Sequence, residues 1–532
     1  MLGLPLLLAA ALATAPPNPA KADILLARKG LTAAVAAGHV APADAAADRT
    51  ILAAAPPLLR KLPPLRVAEL RGVLHDVAAL AGEYTGQRAL VLFSTLRENE
   101  DYLGHHRLPA DGTDVVSDEG VLYREFSGHG LVFHPLGNFA RLNNLVSAHQ
   151  DEEAAQAAAA LVARGIPGRA GSLRFEYEFP FSAGAPPWTS GMAQAVAAQA
   201  LARAGDELGD SSLADAASAA YRAVPGLLLH LDAGPWIRLY DWSTTAVLNA
   251  QLQTSISLDS YGKTSGNAAA VTLAARMRDA AQRLLPRFDT GYWSLYDLDG
   301  SDASLSYHDY VITLLKRLAA QTGEQDWRNF ADRFQAYETQ PPILRAGAPA
   351  PEIYPDPQDG YKDEAPLKFW LSKLATVTLR VGKTTETLVL AGGWHELDWA
   401  PGAVAPGLYH PRLAATDQKG LRAAVALDPV TVRSDIVPPE LHVAVAGRNV
   451  LFWSAEDPGT PWLQLVVVLS RGRKHQLVDL GQQELAGRAH LKLPKGRWHA
   501  VLYASNSAGR TRRLSLGLLP RPKPAAPVQP PG

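Results

Sequence analysis

Apolar residues recur at i, i+3, i+4 and i+7 through "DILLARKGLTAAVAAGHV" and "LRVAELRGVLHDVAALAGEYTG", so residues 23–115 are expected to form an N-terminal helical region. The next stretch is mixed. "GLVFHPLGNFARLNNLVSAH" closes in a helix, whereas "SLRFEYEFPF" alternates apolar and charged residues as a half-buried strand does. From Ser190, a natural N-cap for "GMAQAVAAQALARAG", helical segments follow in pairs. "SSLADAASAAYRAVPG" carries its stop signal in Pro225-Gly226, and "GNAAAVTLAARMRDAAQRLLP" stops at Pro286. "DYVITLLKRLAAQTG" and "DWRNFADRFQAYE" complete the series. Paired helices of this length predict an (α/α) toroid, barrel or solenoid over residues 116–340. Between two pairs lies "FDTGYWSLYDLDGSDASLSYHDYV", residues 288–311, whose first part to residue 307 reads as a β-hairpin projecting from a connection.

The period then changes. Residues 341–366 are dense in Pro and Gly and read as a linker. Beyond them "ATVTLRV", "TETLVLA", "ELHVAVAG", "WLQLVVVLS" and "HLKLP" alternate as short strands. "GLYHPRLAATDQKG" (407–420) and "GRWHAVLYASNSAG" (496–509) repeat one pattern without a gap, 496 − 407 = 89 residues apart. Two tandem immunoglobulin- or fibronectin-like sandwiches, 367–437 and 438–519, are therefore expected, with a disordered Pro-rich tail at 520–532. The fold class is multidomain: a mainly α toroid followed by two all-β sandwich domains. The matching His410 and His499 read as strand decoration.

Composition narrows the partners. The 532 residues exceed one core, and the net charge of −1 provides no field for nucleic acid. The basic clusters Arg471–Lys474 and Arg510–Arg513 read as solvated surface. With no cysteine, disulfides, thiol catalysis and cysteine-ligated metals are excluded. The apolar run Leu2 to Ala15, too short for a bilayer, reads as part of a secretory signal at residues 1–22, which implies bacterial-type export to the envelope or medium. No other stretch reaches 18 apolar residues, so no transmembrane segment is expected.

Standard catalytic motifs such as G-x-S-x-G, Walker A and H-E-x-x-H are absent, and the one His-His pair, His105-His106, reads as an exposed loop rather than a metal site. What remains is the tyrosine-rich stretch 288–311. Tyr296 and Tyr307 could flank one mouth of the toroid. A tyrosine ordinarily ionises near pH ~10 and becomes a useful acid or base where neighbouring positive charge lowers that value.

Three ordered blocks over residues 186–337 carry a resemblance: "PPWTSGMAQAVAAQAL", "LYDWSTTAVLNAQLQTSISLDSY", and the run from "LLPRFDTGYWSLYDLDG" to "DWRNFADRFQAY". They are similar to the C-terminal catalytic domain of the D-glucuronyl C5-epimerases; "FEYEFPF" and "GLVFHPLGNFARLN" extend the likeness upstream. The resemblance implies an isomerase, a racemase or epimerase acting on carbohydrates. It would remove the C5 proton of a uronate in an acidic polysaccharide and return one to the opposite face, with neither redox cofactor nor metal. Tyr296 and Tyr307 fall on the family's catalytic tyrosines, and His308, Tyr240 and Asp241 are expected around them. Arg238, Trp188, Trp242, Trp293 and Asp299 are expected to meet substrate. A homodimer is compatible with the sequence.

Two departures bear on the reaction. The family's Glu-Glu-Tyr-Pro segment after Tyr-Asp-Trp is missing, because Trp242 runs into Ser243-Thr244-Thr245. The family's arginine after Tyr-Asp-Leu is Asp299, which would repel a carboxylate; Arg238 or the more distant Arg141 could supply the charge. Three alternatives therefore stay open. One is a polyuronide lyase using a single tyrosine face. Another is a glycoside hydrolase using Glu176 with Glu178, or Asp297 with Asp299. The third is a non-catalytic, glycan-binding envelope protein.

Overall fold

The computed structural model describes residues 19–520. The apolar run of the expected export signal and the tail beyond residue 520 lie outside these residues. The chain divides into two units, Met1–Thr339 and Gln340–Gly532.

The first unit opens with helices α1 (Pro19–Ala36), α2 (Pro42–Leu59), α3 (Pro64–Ala79) and α4 (Gly86–His105). They belong to the same unit as the helical pairs rather than to a domain of their own. A three-stranded antiparallel sheet follows, β1 (Asp114–Val116), β2 (Leu122–Phe126) and β3 (Gly130–Phe133). Four helical hairpins then succeed one another: α5 (Pro135–Ser147) with α6 (Asp151–Ala163), α7 (Gly191–Leu208) with α8 (Ser211–Tyr221), α9 (Leu248–Ser265) with α10 (Ala268–Leu284), and α11 (Leu305–Thr322) with α12 (Gln325–Tyr337). Helices α5, α7, α9 and α11 each touch the next, forming an inner row, while their partners lie outside. The row is an arc; the expected barrel does not close.

Local chemistry explains the pairs. Ser190 caps α7 as its sequence position predicts, its hydroxyl accepting from Ala193 N at 3.3 Å. Small residues let α7 be buried on nearly every side between α5, α8 and α9. Gly209 and Gly266, at φ 64° and 67°, end α7 and α9 in the left-handed conformation that returns the chain into α8 and α10.

A side-chain clamp recurs at the fourth residue of the inner helices. Gln194 of α7 accepts from Phe175 N and donates to Leu173 O and to Ala220 O at the end of α8. Gln251 of α9 accepts from Ile237 N and donates to Pro235 O and to Met277 O of α10. Both side chains are fully buried. Each thereby ties one inner helix to its outer partner and to the strand before it.

Two sequence expectations change here. "FEYEFPF" is not half-buried, because Phe175 to Phe179 are all buried. Its charged face meets Arg88 of α4 instead of water, at 2.5 Å from Glu176 and 3.3 Å from Glu178. Residues 288–307 do not form a hairpin. They make a folded loop held by isolated bridges, Asp289 to Ser294 and Leu295 to Asp302, and α11 already begins at Leu305.

The second unit holds two antiparallel sandwiches of three strands on four, the arrangement of immunoglobulin-like folds. In the first, Leu344–Ala346, Ala365–Leu371 and Gly393–Trp399 face Thr384–Leu390, Ala375–Val381, Arg412–Asp417 and Arg422–Ala426. Alternate residues such as Phe369, Leu379 and Leu413 fill the core. This sandwich reaches back into the expected linker: Leu344–Ala346 is its edge strand and Ile353 is fully buried in its core. Pro-rich sequence tolerates this because edge strands leave some backbone donors unused.

The 89-residue repeat is a shared turn. Asp417 Oδ1 accepts from Leu421 N and Asn506 Oδ1 from Arg510 N, at 2.9 and 2.7 Å. Behind the turn, Asp417 meets buried Lys373 at 2.8 Å, whereas Asn506 donates to Asp435 and Asp457.

Candidate functional site

Four tyrosines converge in the first unit from separate elements: Tyr177 in the strand Glu176–Tyr177, Tyr240 after the strand Gly234–Ile237, Tyr296 in the loop before α11, and Tyr307 in its first turn. Tyr177 stacks on Trp188 with centroids 4.0 Å apart and planes 1° apart. Tyr240 meets Trp188 edge-on at 5.5 Å and stacks on Trp242 at 5.0 Å. Tyr296 and Tyr307 are 4.9 Å apart. Tyr307 is 39% exposed and forms the open side of the cluster, while Tyr240 and Tyr296 are half-buried.

The loop fixes Tyr296 by its backbone. Its N donates to Ser301 O at 2.7 Å, and its carbonyl accepts from Leu248 N at the start of α9. Buried Asp297 closes the turn by accepting from Asp299 N and Ser301 N. Tyr307 is placed by Ser304, the α11 N-cap, whose hydroxyl accepts from Tyr307 N.

Burial raises the pKa of every hydroxyl in the cluster, because a phenolate is costly away from water. Tyr240 is pushed up to about 12 by burial and then by Tyr307. Tyr296 is hardest to ionise: burial is joined by Tyr240, Tyr307 and Asp297. The upward shift of Tyr307 is opposed by Arg124 and then by the neighbouring Tyr296 hydroxyl, which also favours an ionised Tyr240. The three hydroxyls thus titrate as a coupled set.

Arg124 and Tyr177 escape the sequence reading. Arg124 lies on β2 opposite Val132 of β3, and Val132 packs in the group of Tyr177, Phe179 and Trp188 that Tyr240 and Trp242 border. Asp114 of β1 holds the guanidinium by two hydrogen bonds, Nε to Oδ1 at 2.6 Å and Nη2 to Oδ2 at 2.8 Å. His134, the α5 N-cap, is kept neutral by burial and then by Arg124, and accepts from Gly137 N. Tyr177 Oη accepts from Leu136 N in the same first turn. The available signal was a charge between Leu122 and Phe126 on one face of a short strand.

Other sequence candidates have structural partners. His308 is fully buried behind the cluster, stacked on Trp293 at 3.7 Å. Its Nε2 donates to Phe334 O of α12 at 2.9 Å, so Nδ1 accepts from Ser294 Oγ at 2.7 Å. It is the fourth residue of α11 and repeats the clamp of Gln194 and Gln251. Trp293, 2% exposed, donates to Ala303 O and belongs to the core rather than to a sugar surface. Trp188 is also buried, donating to Phe179 O, and serves as the wall behind Tyr177 and Tyr240.

Asp241 accepts from Thr189 N and fastens the strand Trp188–Thr189; burial raises its carboxyl. Half-buried Arg238 donates to Ser243 O at 3.3 Å, Arg141 donates to Gly120 O, and exposed Asp299 accepts from Thr245 Oγ1. Glu176 and Glu178 are engaged by Arg88, and burial pushes the Glu178 carboxyl up. Among the described residues no group of His, Asp and Glu is arranged to hold a metal ion.

Comparison with known proteins bears on this segment. Residues 168–336 match the family described as D-glucuronyl C5-epimerase C-terminus, a span that includes all four tyrosines and "FEYEFPF" but neither Arg124 nor His134. No curated protein matches the chain. Similar solved structures include a selenomethionine derivative of the GH76 α-mannanase of Bacteroides thetaiotaomicron, at 13% identity and a TM-score of 0.29, covering 38% of this chain and 59% of that one. A D-mannose isomerase is 13% identical, with a TM-score of 0.30 and coverage of 39% and 60%. The fibronectin(III)-like modules of Clostridium thermocellum CbhA are 15% identical, with a TM-score of 0.17 and coverage of 32% and 91%. The chain therefore spans less than two thirds of the mannanase and of the isomerase. With the family match and the ordered tyrosine cluster together, residues 168–336 are a D-glucuronyl C5-epimerase-like C-terminal domain.

Proposed function

We propose that this protein removes and returns the C5 proton of a uronic-acid residue within a polysaccharide. The observation that carries the reading is the coupled trio Tyr240, Tyr296 and Tyr307, open to solvent on the Tyr307 side and acted on by Arg124. Tyr307 is the base in its ionised form, a minor state because burial raises its pKa, and one that Arg124 and the Tyr296 hydroxyl favour. It takes the C5 proton while the C5–H electron pair moves into the carboxylate, giving an enediolate. Tyr296, the hydroxyl hardest to ionise, stays protonated as the acid and passes its proton to C5 on the other face, inverting it. The proton taken by Tyr307 returns to the tyrosine set through the hydroxyl chain. Trp242 and Tyr240 offer the stacked aromatic surface on which a sugar ring rests.

Incubation with glucuronate-containing polysaccharides in heavy water tests this. Deuterium should enter at C5, and both C5 configurations should be seen by NMR; the absence of label in a panel of uronans overturns the reaction.

A second reading, a polyuronide lyase, draws on the same trio. Its hydroxyls couple to one another as one set rather than standing apart, and elimination needs proton transfer on one face only. The C5–H electron pair would then form a C4–C5 double bond, with the C4 oxygen leaving as the protonated alcohol. Ultraviolet absorbance of the unsaturated uronate, with chain shortening, distinguishes this outcome. Export is part of the proposal and rests on the Leu2 to Ala15 run; sequencing the N-terminus of the mature protein tests it.

A further inference from the structure

We propose that Arg124 is the group that binds the uronate carboxylate, taking over from a different element the charge that Asp299 does not supply. This inference deepens the proposed function and rests on it. The guanidinium stands on the face of β2 shared with Phe126 and, across the strand pair, Val132, which packs against the wall built by Tyr177 and Trp188. It is neither sealed nor free to wander: its side chain is 30% exposed, and Asp114 grips Nε and Nη2. Among the described residues Nη1 has no hydrogen-bond partner, so the outer edge of the fork remains open to a second carboxylate. Asp114 orients the fork and disperses its charge.

The competing arginines are occupied differently. Arg88 serves Glu176 and Glu178, Arg174 pairs with Glu176 at 2.9 Å, Arg238 donates to Ser243 O, and Arg141 donates to Gly120 O. Arg124 also acts electrostatically on both Tyr177 and Tyr307. A carboxylate held on its fork would lie beside the proposed base, and charge developing on that carboxylate during C5 proton removal would be met by a cation already in position.

Arg124→Gln, Arg124→Lys and wild type should be compared in two assays: calorimetric binding of a glucuronate-containing oligosaccharide at low and high salt, and C5 deuterium exchange. For Arg124→Gln we expect affinity and exchange to fall on the order of tenfold to a hundredfold, with most of the salt dependence of binding lost. Arg124→Lys, which keeps charge but not the fork, should recover part of the loss. Unchanged binding and exchange in Arg124→Gln would overturn the assignment. If that variant fails to fold, Arg124→Lys decides, and wild-type affinity in it likewise overturns the fork. Wild type that binds the oligosaccharide but does not exchange, with binding lost in Arg124→Gln, keeps the Arg124 assignment and removes the reaction. Wild type that does neither removes both.

Discussion

The rings of Tyr296 and Tyr307 lie 4.9 Å apart at an interplanar angle of 52°, one carried by a loop and the other by the first turn of α11. Burial raises the Tyr307 pKa, and the neighbouring Tyr296 hydroxyl opposes that rise. Tyr296→Phe should therefore do two things. It removes the proposed acid, so the exchange rate should fall by roughly 10²- to 10⁴-fold with little change in glycan affinity. It also withdraws a donor from the Tyr307 phenolate, so the Tyr307 pKa rises and any residual activity shifts to higher pH. A pH–rate profile and a spectroscopic tyrosinate titration check both effects.

His308 separates a structural from a chemical role. Because glutamine fills the equivalent clamp in α7 and α9, His308→Gln should fold and retain activity. His308→Ala leaves Phe334 O and Ser294 unpaired and opens a void against Trp293, at a cost of about 2–4 kcal/mol. Thermal melts with activity per folded molecule decide: a stable His308→Gln protein without activity would restore the histidine to the chemistry.

Arg88 is the sole cation within salt-bridge reach of Glu178 among the described residues, and it also serves Glu176. Arg88→Ala should destabilise the first unit by about 3–5 kcal/mol by leaving buried Glu178 without a cation and Glu176 with Arg174 alone. Glu178 already has a folded-state pKa above its ordinary value, through burial, and losing Arg88 raises it further. A carboxyl with a raised folded-state pKa favours the native state when protonated, so the deficit should shrink on acidification and grow above neutrality. Chemical denaturation at several pH values measures it.

How far could these features be read in advance? Where a signal is local, it was visible: Ser190 caps α7, the three helical pairs from Ser190 onward follow their apolar period, and the 89-residue repeat marks one turn used twice. The errors came from distant partners. "FEYEFPF" alternates like a surface strand, but its charges face an arginine 88 residues earlier. The loop at 288–304 has hairpin-like composition, yet Ser304 starts a helix and takes Tyr307 and His308 with it. His308 looked chemical beside a tyrosine; its role follows only from the three equivalent helix positions. Arg124 sits in a stretch of mixed pattern; its place between Leu122 and Phe126 marks a charge on an apolar strand face but does not tell which distant residues it faces.

In the second unit, Asp435 and Asp457 share the side-chain amide of Asn506, and burial followed by Asp457 pushes the Asp435 carboxyl up to about 6. Since the folded value exceeds the ordinary one of 3.8, its stabilising contribution is complete in acid and is lost as pH rises through about 6. Asp435→Asn should raise stability at pH 8 by on the order of 1 kcal/mol and change little at pH 4. The denaturation midpoint of the second unit, followed by tryptophan fluorescence, checks the sign.

The match to the epimerase family begins at residue 168, after Arg88, Arg124 and His134 have passed. A gene fragment from 168 to 336 would inherit all four tyrosines without the cation beside them, the neutral imidazole behind them or the arginine that neutralises the strand carrying Tyr177. The family match and the set of residues packed around the four tyrosines therefore have different boundaries. Recombination at the edge of the match would be expected to transmit the recognisable sequence without the charged and buried groups that surround its tyrosines.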